Sequence, residues 1–191
     1  MSELSVGSLS GLAANSYVID VASGSQLVQP GMVLQVVQGV KTDQFTTTST
    51  SYTDITGLSV SITPNSTSSK ILLLADVKAS VSEETNGVIA FIQFSGGNSG
   101  NYIGDTEGSR TRAAASTART DTSTGTIPRR EPASLVANYL DSPNTASAIT
   151  YKIQAKTGGS GTAVFNRMGS SANSAEFGVY PSSITAVEIA G

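Results

Sequence analysis

The sequence predicts an all-β protein, a jelly-roll-like β-sandwich, and three observations carry that prediction. No segment of eleven or more residues keeps apolar side chains at the i, i+3, i+4, i+7 spacing of an amphipathic helix. Apolar residues instead alternate with hydroxyl residues, as where Leu58, Val60 and Ile62 are interleaved with Ser59, Ser61 and Thr63. Between such runs lie clusters of Gly, Pro, Asn and Ser, the residues that turns require. Eight or so short strands at this spacing make a sandwich or barrel, and the jelly roll is the natural form for a lone domain.

The first thirty residues stand apart from the rest. Ser2 to Pro30 is rich in Ser, Gly and Ala, carries Glu3 and Asp20, and holds no Lys or Arg. Its apolar residues are scattered, with Leu9, Leu12, Val18 and Ile19 the best anchors. One reading is a frayed terminus or an ordinary edge strand. The other is an extended arm, residues 1–30, that becomes ordered by lying on a partner, since thirty extended residues reach about 100 Å.

Pro30-Gly31 then marks a turn, and a β-domain is expected over residues 31–191. Met32 to Val37 and Ile71 to Val77 are dense in apolar residues and read as strands covered on both faces. Thr63-Pro64-Asn65-Ser66 closes the strand that ends at Ile62. Val88 to Phe94 follows, and Gly96-Gly97-Asn98-Ser99-Gly100-Asn101 marks a loop or hairpin end. Leu135 to Leu140 is a further strand. Ile149, Tyr151, Ile153 and Ala155 alternate with Thr150, Lys152, Gln154 and Lys156 in the cleanest strand of the chain. Ala163 to Phe165 and Ile184 to Ile189 complete the set.

Composition narrows function mainly by what is missing. The chain has 191 residues, 13% of them charged, with a formal net charge of -3. Ser and Thr supply more than a quarter of it, while Leu, Ile, Val and Phe together make about 23%, just above the level of disordered chains. A core this lean points to stability borrowed from identical neighbours. There is no His, no Cys and no Trp. Nucleophilic pairs that use His, zinc sites of His and Cys, and haem or iron–sulfur ligation are therefore unavailable. No motif argues for catalysis, so a non-enzymatic protein without cofactor or metal is expected. No apolar run approaches the ~20 residues needed to span a bilayer. Met1-Ser2-Glu3-Leu4 lacks the basic and apolar regions of a signal peptide, so synthesis in a cytoplasm without membrane passage is expected.

Five of the six arginines, Arg110, Arg112, Arg119, Arg129 and Arg130, fall within residues 110–130, opposed there only by Asp121. They lie in a long loop around residues 105–132. A solvated basic loop is one reading. A contact surface for an acidic protein or a carboxylate-bearing glycan is the other, because the guanidinium fork matches carboxylates. Nucleic acid is not expected, since no aromatic residue between Tyr102 and Tyr139 could stack on a base. Gly104-Asp105-Thr106-Glu107-Gly108 holds two carboxylates but too few oxygens for calcium, and reads as an ordinary turn. Glu83-Glu84 resembles a charged hairpin tip.

The wording of the sequence is more specific than its physics. Gln29-Pro30-Gly31-Met32-Val33-Leu34-Gln35-Val36-Val37 is followed by Phe45-Thr46-Thr47-Thr48-Ser49-Thr50-Ser51-Tyr52-Thr53-Asp54-Ile55-Thr56-Gly57-Leu58-Ser59-Val60-Ser61-Ile62-Thr63-Pro64, then Ser66-Thr67-Ser68-Ser69-Lys70-Ile71-Leu72-Leu73-Leu74. This succession, with Tyr151-Lys152-Ile153-Gln154-Ala155 and the closing Ser183-Ile184-Thr185-Ala186-Val187-Glu188-Ile189-Ala190, resembles a structural module of tailed bacteriophages, especially those of cyanobacteria and marine bacteria. The resemblance covers about residues 29–191 and leaves residues 110–130 unmatched. It implies a homotrimeric jelly roll of the kind found in capsid decoration (cement) proteins, head fibres and tail-fibre tips. The leading expectation is a cement protein on the outer surface of the virion, bound to the major capsid protein through Leu9, Leu12, Val18 and Ile19. The absence of heptads and shaft repeats favours this over a fibre. The alternative is a fibre protein that binds a receptor or host-surface glycan, with Tyr102 as its best exposed aromatic candidate, although a core or rim tyrosine is the favoured reading of that residue.

Overall fold

The computed structural model describes residues 28–82, 88–117, 132–169 and 173–191. Ten strands run through them: β1 (Val33–Lys41), β2 (Phe45–Thr47), β3 (Thr53–Ile62), β4 (Lys70–Val81), β5 (Ala90–Ser95), β6 (Ala115–Ser116), β7 (Ala133–Asp141), β8 (Ile149–Thr157), β9 (Ala163–Phe165) and β10 (Ser182–Ile189). The described residues hold no α-helix, and one 3-10 turn at Ser99–Asn101.

The pairing follows a single rule. β1 pairs with β10, β2 with β9, β3 with β8, β4 with β7 and β5 with β6, every pair antiparallel. The chain is thus one long nested hairpin whose tip lies between β5 and β6. Rolling that ribbon up adds the pairs β10–β4, β4–β9 and β5–β8. Two sheets result. The smaller runs β3-β8-β5-β6; the larger runs β1-β10-β4-β9-β2, with β7 on the free side of β4. A rolled antiparallel ribbon of this order is a jelly roll. The all-β sandwich read from the sequence is the observed architecture.

Alternation sets which way each strand faces. In β8, Tyr151, Ile153 and Ala155 are buried while Thr150 is exposed. In β4, Ile71, Leu73, Ala75 and Val77 face inward, and in β10 Ile184 and Ala186 do. The core joins a few large side chains (Tyr151, Phe94, Phe165, Leu58) to many small ones, among them Ala75, Ala79, Ala90, Ala137, Ala155, Ala163 and Ala186. A lean composition therefore closes a core by bringing two sheets together over alanine. Each fully buried large apolar side chain adds about 1.5–3 kcal/mol of transfer free energy. The sheets also meet backbone to backbone at one edge. A Cβ on Gly39 of β1 would lie 2.0 Å from the Ser59 carbonyl oxygen of β3, so only glycine fits there.

Two short strands escape the sequence pattern. β2 and β6, of three and two residues, exist through their partners rather than through any local period. The Pro30-Gly31 turn stands where expected: Gly31 has φ +87°, Met32 N–H donates to the Gln29 carbonyl at 3.0 Å, and Gly31 N–H donates to the Ala190 carbonyl at 2.8 Å. One expectation fails. β1 and β4 are not covered on both faces, because Val36 and Leu74 point outward and are 60% and 43% exposed. Within one protomer their apolar density therefore serves an inner, buried face and an outer face that the protomer itself does not cover.

Candidate interaction surface at the ribbon tip

The connection from β5 to β6 is the tip of the nested hairpin, and its first half is folded against the sandwich. Gly96 and Gly97 take φ +102° and +52°, which reverse the chain after β5. Ser99 N–H donates to the Gly96 carbonyl at 3.1 Å, and Tyr102 N–H to the Ser99 carbonyl at 3.0 Å. Asn98 fixes this turn to the β7–β8 hairpin, with its N–H 3.2 Å from Asp141 Oδ2 and its Nδ2 donating to the Ser142 carbonyl at 2.9 Å. Asp141 Oδ2 also accepts from the Tyr151 hydroxyl at 2.7 Å, while Oδ1 has no hydrogen-bond partner among the described residues.

Tyr102 follows the turn. Its ring lies between Phe94 and Tyr139, with centroids 6.1 Å and 5.4 Å away. It is half-buried, the outer member of an aromatic row that begins in the core, in keeping with the reading of a core or rim tyrosine. Beyond it the chain forms a tongue, residues 104–113, closed by Gly104 N–H donating to the Ala113 carbonyl at 3.3 Å. Tyr102, Ile103, Gly104, Ala113 and Ala114 line a depression of about 360 Å³ at the base of this tongue.

The two described arginines of the basic segment have different partners. Arg110 Nε lies 3.2 Å from Glu107 Oε2, both side chains about three-quarters exposed, across a turn in which Arg110 N–H donates to the Glu107 carbonyl at 3.0 Å. Such an exposed pair contributes little to stability, and Glu107 offsets its charge. Arg112 Nε donates to the Gly104 carbonyl at 2.6 Å, so this guanidinium braces the tongue. The Arg112 carbonyl in turn accepts from the Tyr52 hydroxyl at 2.8 Å. Burial pushes the Tyr52 hydroxyl up to about 12, so it stays a donor throughout the physiological range. Lys156 Nζ sits 5.2 Å from the Tyr52 ring centre and 5.7 Å from that of Phe91, close enough for cation–π attraction.

Arg119, Arg129 and Arg130 lie outside the described residues, as do Glu83, Glu84 and the proposed anchors Leu9, Leu12, Val18 and Ile19. Among the described residues no three Asp or Glu side chains come together in a way that could hold a metal ion. Several carboxylates are already engaged. Lys152 and Gln154 donate to Asp54 at 2.7 and 2.8 Å and hold its carboxyl below the usual value. Lys41 holds that of Asp43 low in the same way. Asp76 pairs with Lys78 at 2.8 Å. The tip thus combines a half-buried aromatic side chain, Tyr102, with a tongue braced by its own hydrogen bonds. Sequence reading found Tyr102 but missed Phe94, Tyr139 and Asp141, whose positions depend on strands that meet only in the fold.

No protein-family model matches the chain, and no curated protein matches it. Solved structures do resemble it. The structure of infectious bursal disease virus, Gx strain, is 14% identical with a TM-score of 0.37, over 90% of this chain and 42% of that one. The 2.6 Å structure of T=1 particles derived from infectious bursal virus is 15% identical with a TM-score of 0.32, over 96% and 41% respectively. The chain spans about two fifths of the length of each.

Proposed function

We propose that this chain is a virion structural protein of the tailed-bacteriophage kind, a homotrimeric decoration or cement protein that binds the assembled head and stabilises it. The observation that carries the reading is the rolled ribbon itself. The described residues form a jelly roll, and they fall within the stretch, about 29–191, whose wording resembles the phage module. In this reading Leu9, Leu12, Val18 and Ile19 dock an extended N-terminal arm on the major capsid protein, on the outer surface of a particle assembled in the host cytoplasm. The mechanism is mass action: a protein that binds assembled subunits better than separated ones stabilises the assembly. Ordering the arm costs about 1–2 kcal/mol per residue, so affinity depends on the arm as a whole. The arginines of residues 110–130 add contacts to an acidic neighbour that weaken as salt rises.

The test is occupancy on particles. Full-length protein is expected to be present at shell-wide copy number in purified virions, and to rebind particles stripped of it. Replacing Leu9, Leu12, Val18 and Ile19 together by Ser is expected to abolish rebinding without changing the melting temperature. Normal rebinding by that variant would overturn the arm mechanism, and a copy number of a few per particle would overturn the cement reading. One observation favours a second reading, a fibre protein that binds host-surface glycan. The depression is lined by the Tyr102 ring together with Ile103, Gly104, Ala113 and Ala114. Saturable binding on a glycan array, lost in Tyr102→Ala, would support that reading.

A further inference from the structure

The two sheets differ on their outer faces. The smaller sheet is polar outside: Ser61 and Thr150 share a hydrogen bond of 2.8 Å, Gln93 Nε2 donates to Gln154 Oε1 at 2.9 Å, and Lys152 reaches Asp54. On the larger sheet, strand register brings Val36, Val187, Leu72 and Leu140 into one outward row across β1, β10, β4 and β7. Leu74 stands in the next row and Val136 in the one after. Val136 is 65% exposed and Leu140 46%.

The face is sized and charged for a like surface. Four strands about 4.8 Å apart and nine residues at about 3.3 Å each make a face of roughly 600 Å². Specific interfaces bury about 600–1,000 Å² per partner, so this face reaches the lower end of that range. Its polar groups are largely satisfied within the sheet, Gln38 Nε2 donating to Thr185 Oγ1 at 2.9 Å and Lys78 to Asp76 and Ser134 at 2.8 and 2.6 Å. Covering them therefore strands few donors. With Asp76 and Lys78 paired, only Lys70 at one margin of β4 adds charge to these rows, too little to recruit nucleic acid or a strongly charged protein. Copies that present this nearly neutral, partly apolar face to one another around a common axis meet without charge repulsion.

We propose that the outer face of the larger sheet packs against further copies of this chain and is the surface through which it self-associates. The proposal rests on the reading of the chain as a homo-oligomeric structural protein and adds the surface that joins the copies.

The experiment is light scattering coupled to size exclusion on the full-length protein at micromolar concentration. Wild type is expected at a multiple of the 19.5 kDa protomer mass. The double variant Val36→Glu, Val136→Glu is expected at the protomer mass with its β circular dichroism unchanged. The milder Val36→Ser, Val136→Ser, Leu140→Ser variant is expected to dissociate at concentrations where wild type does not, and it carries the test if glutamate unfolds the sheet. A monomeric wild type overturns the proposal, as does a serine variant that keeps the wild-type mass at every concentration. So does dissociation by serine at Leu9, Leu12, Val18 and Ile19 alone, which would make the arm the joining element. Particle occupancy is a separate measurement: a monomer that still decorates particles sinks this proposal and leaves the virion reading standing.

Discussion

The Tyr151 hydroxyl donates to Asp141 Oδ2 at 2.7 Å, and neither residue has any solvent exposure. The pair joins β8 to the end of β7, beneath the turn that begins the ribbon tip. Burial, and then the donation to Asp141, pushes the tyrosine hydroxyl well above its usual range, so it is a donor at neutral pH. Gly97 passes so close that a Cβ there would lie 2.2 Å from Asp141 Oδ2. One buried carboxylate therefore ties the start of the tip to both β7 and β8.

Removing either partner leaves the other buried and poorly solvated. Tyr151→Phe is expected to cost about 2 kcal/mol, within the range for hydrogen bonds to charged groups. Asp141→Ala should cost at least as much. The double variant should be more stable than the sum of the two losses predicts, by about 1 kcal/mol or more. Urea unfolding of all four proteins measures this, and strict additivity would show that the two groups act independently.

Gly39 makes a sharper steric prediction. Gly39→Ala must push β1 off the Ser59 carbonyl, and overpacking of this kind costs about 1–3 kcal/mol. Gly100 has nothing within 4 Å of its would-be Cβ, so Gly100→Ala is the matched control, expected within about 0.5 kcal/mol of wild type. Equal melting temperatures for the two variants would contradict the close approach.

Asn166 holds the place where β9 gives way to β10. It has φ +66°, Nδ2 donates to the carbonyls of Lys41 and Asp43 at 2.9 Å each, and Oδ1 accepts from the Ser182 hydroxyl. Its own N–H bonds the Lys78 carbonyl at 2.9 Å. Its side-chain amide thus ties the end of β1 and the following loop to the start of β10, while its backbone N–H reaches β4. Asn166→Ala is expected to cost about 3 kcal/mol, from lost partners and a left-handed backbone. Asn166→Asp should cost more at neutral pH, because a carboxylate would face the two carbonyl oxygens. Thermal unfolding that ranks Asp above Ala would refute this geometry.

These residues also show how far the sequence could be read. β8 was legible because Ile149 to Ala155 alternates without interruption, and alternation is a local property of a half-buried strand. The importance of Asn166 was not, since its partners Lys41 and Asp43 lie 125 and 123 residues away. β2 and β6 were hidden because Ser and Thr fill both strands and loops in this chain. Hydrophobicity does not say what covers a side chain, so Val36 and Leu74 read as doubly buried although their outer sides are open. At the tip, Arg110 and Arg112 look like one basic cluster on paper. A single turn gives one to Glu107 and the other to the Gly104 carbonyl.

Glu188 supplies the pH prediction. It is fully buried in β10, where Gln35 Nε2 donates to Oε2 at 2.5 Å and Asn65 N–H to Oε1 at 2.7 Å. Burial pushes its carboxyl up, but these donors outweigh burial and hold it below the usual value. A carboxylate whose folded pKa is depressed stabilises the fold above its unfolded pKa, about 4.3, and loses that contribution as pH falls through the folded value. Glu188→Gln keeps the shape but sets an amide donor against Gln35 or Asn65, an expected loss of about 1–3 kcal/mol at pH 7. Asp43 and Asp54 are also held low, but they titrate alike in both proteins and cancel in the comparison. The gap in melting temperature between wild type and variant should therefore be widest near neutrality and narrow below about pH 4.5. A gap that stays constant from pH 7 to pH 3 would mean that the ionised form of Glu188 contributes nothing beyond its shape.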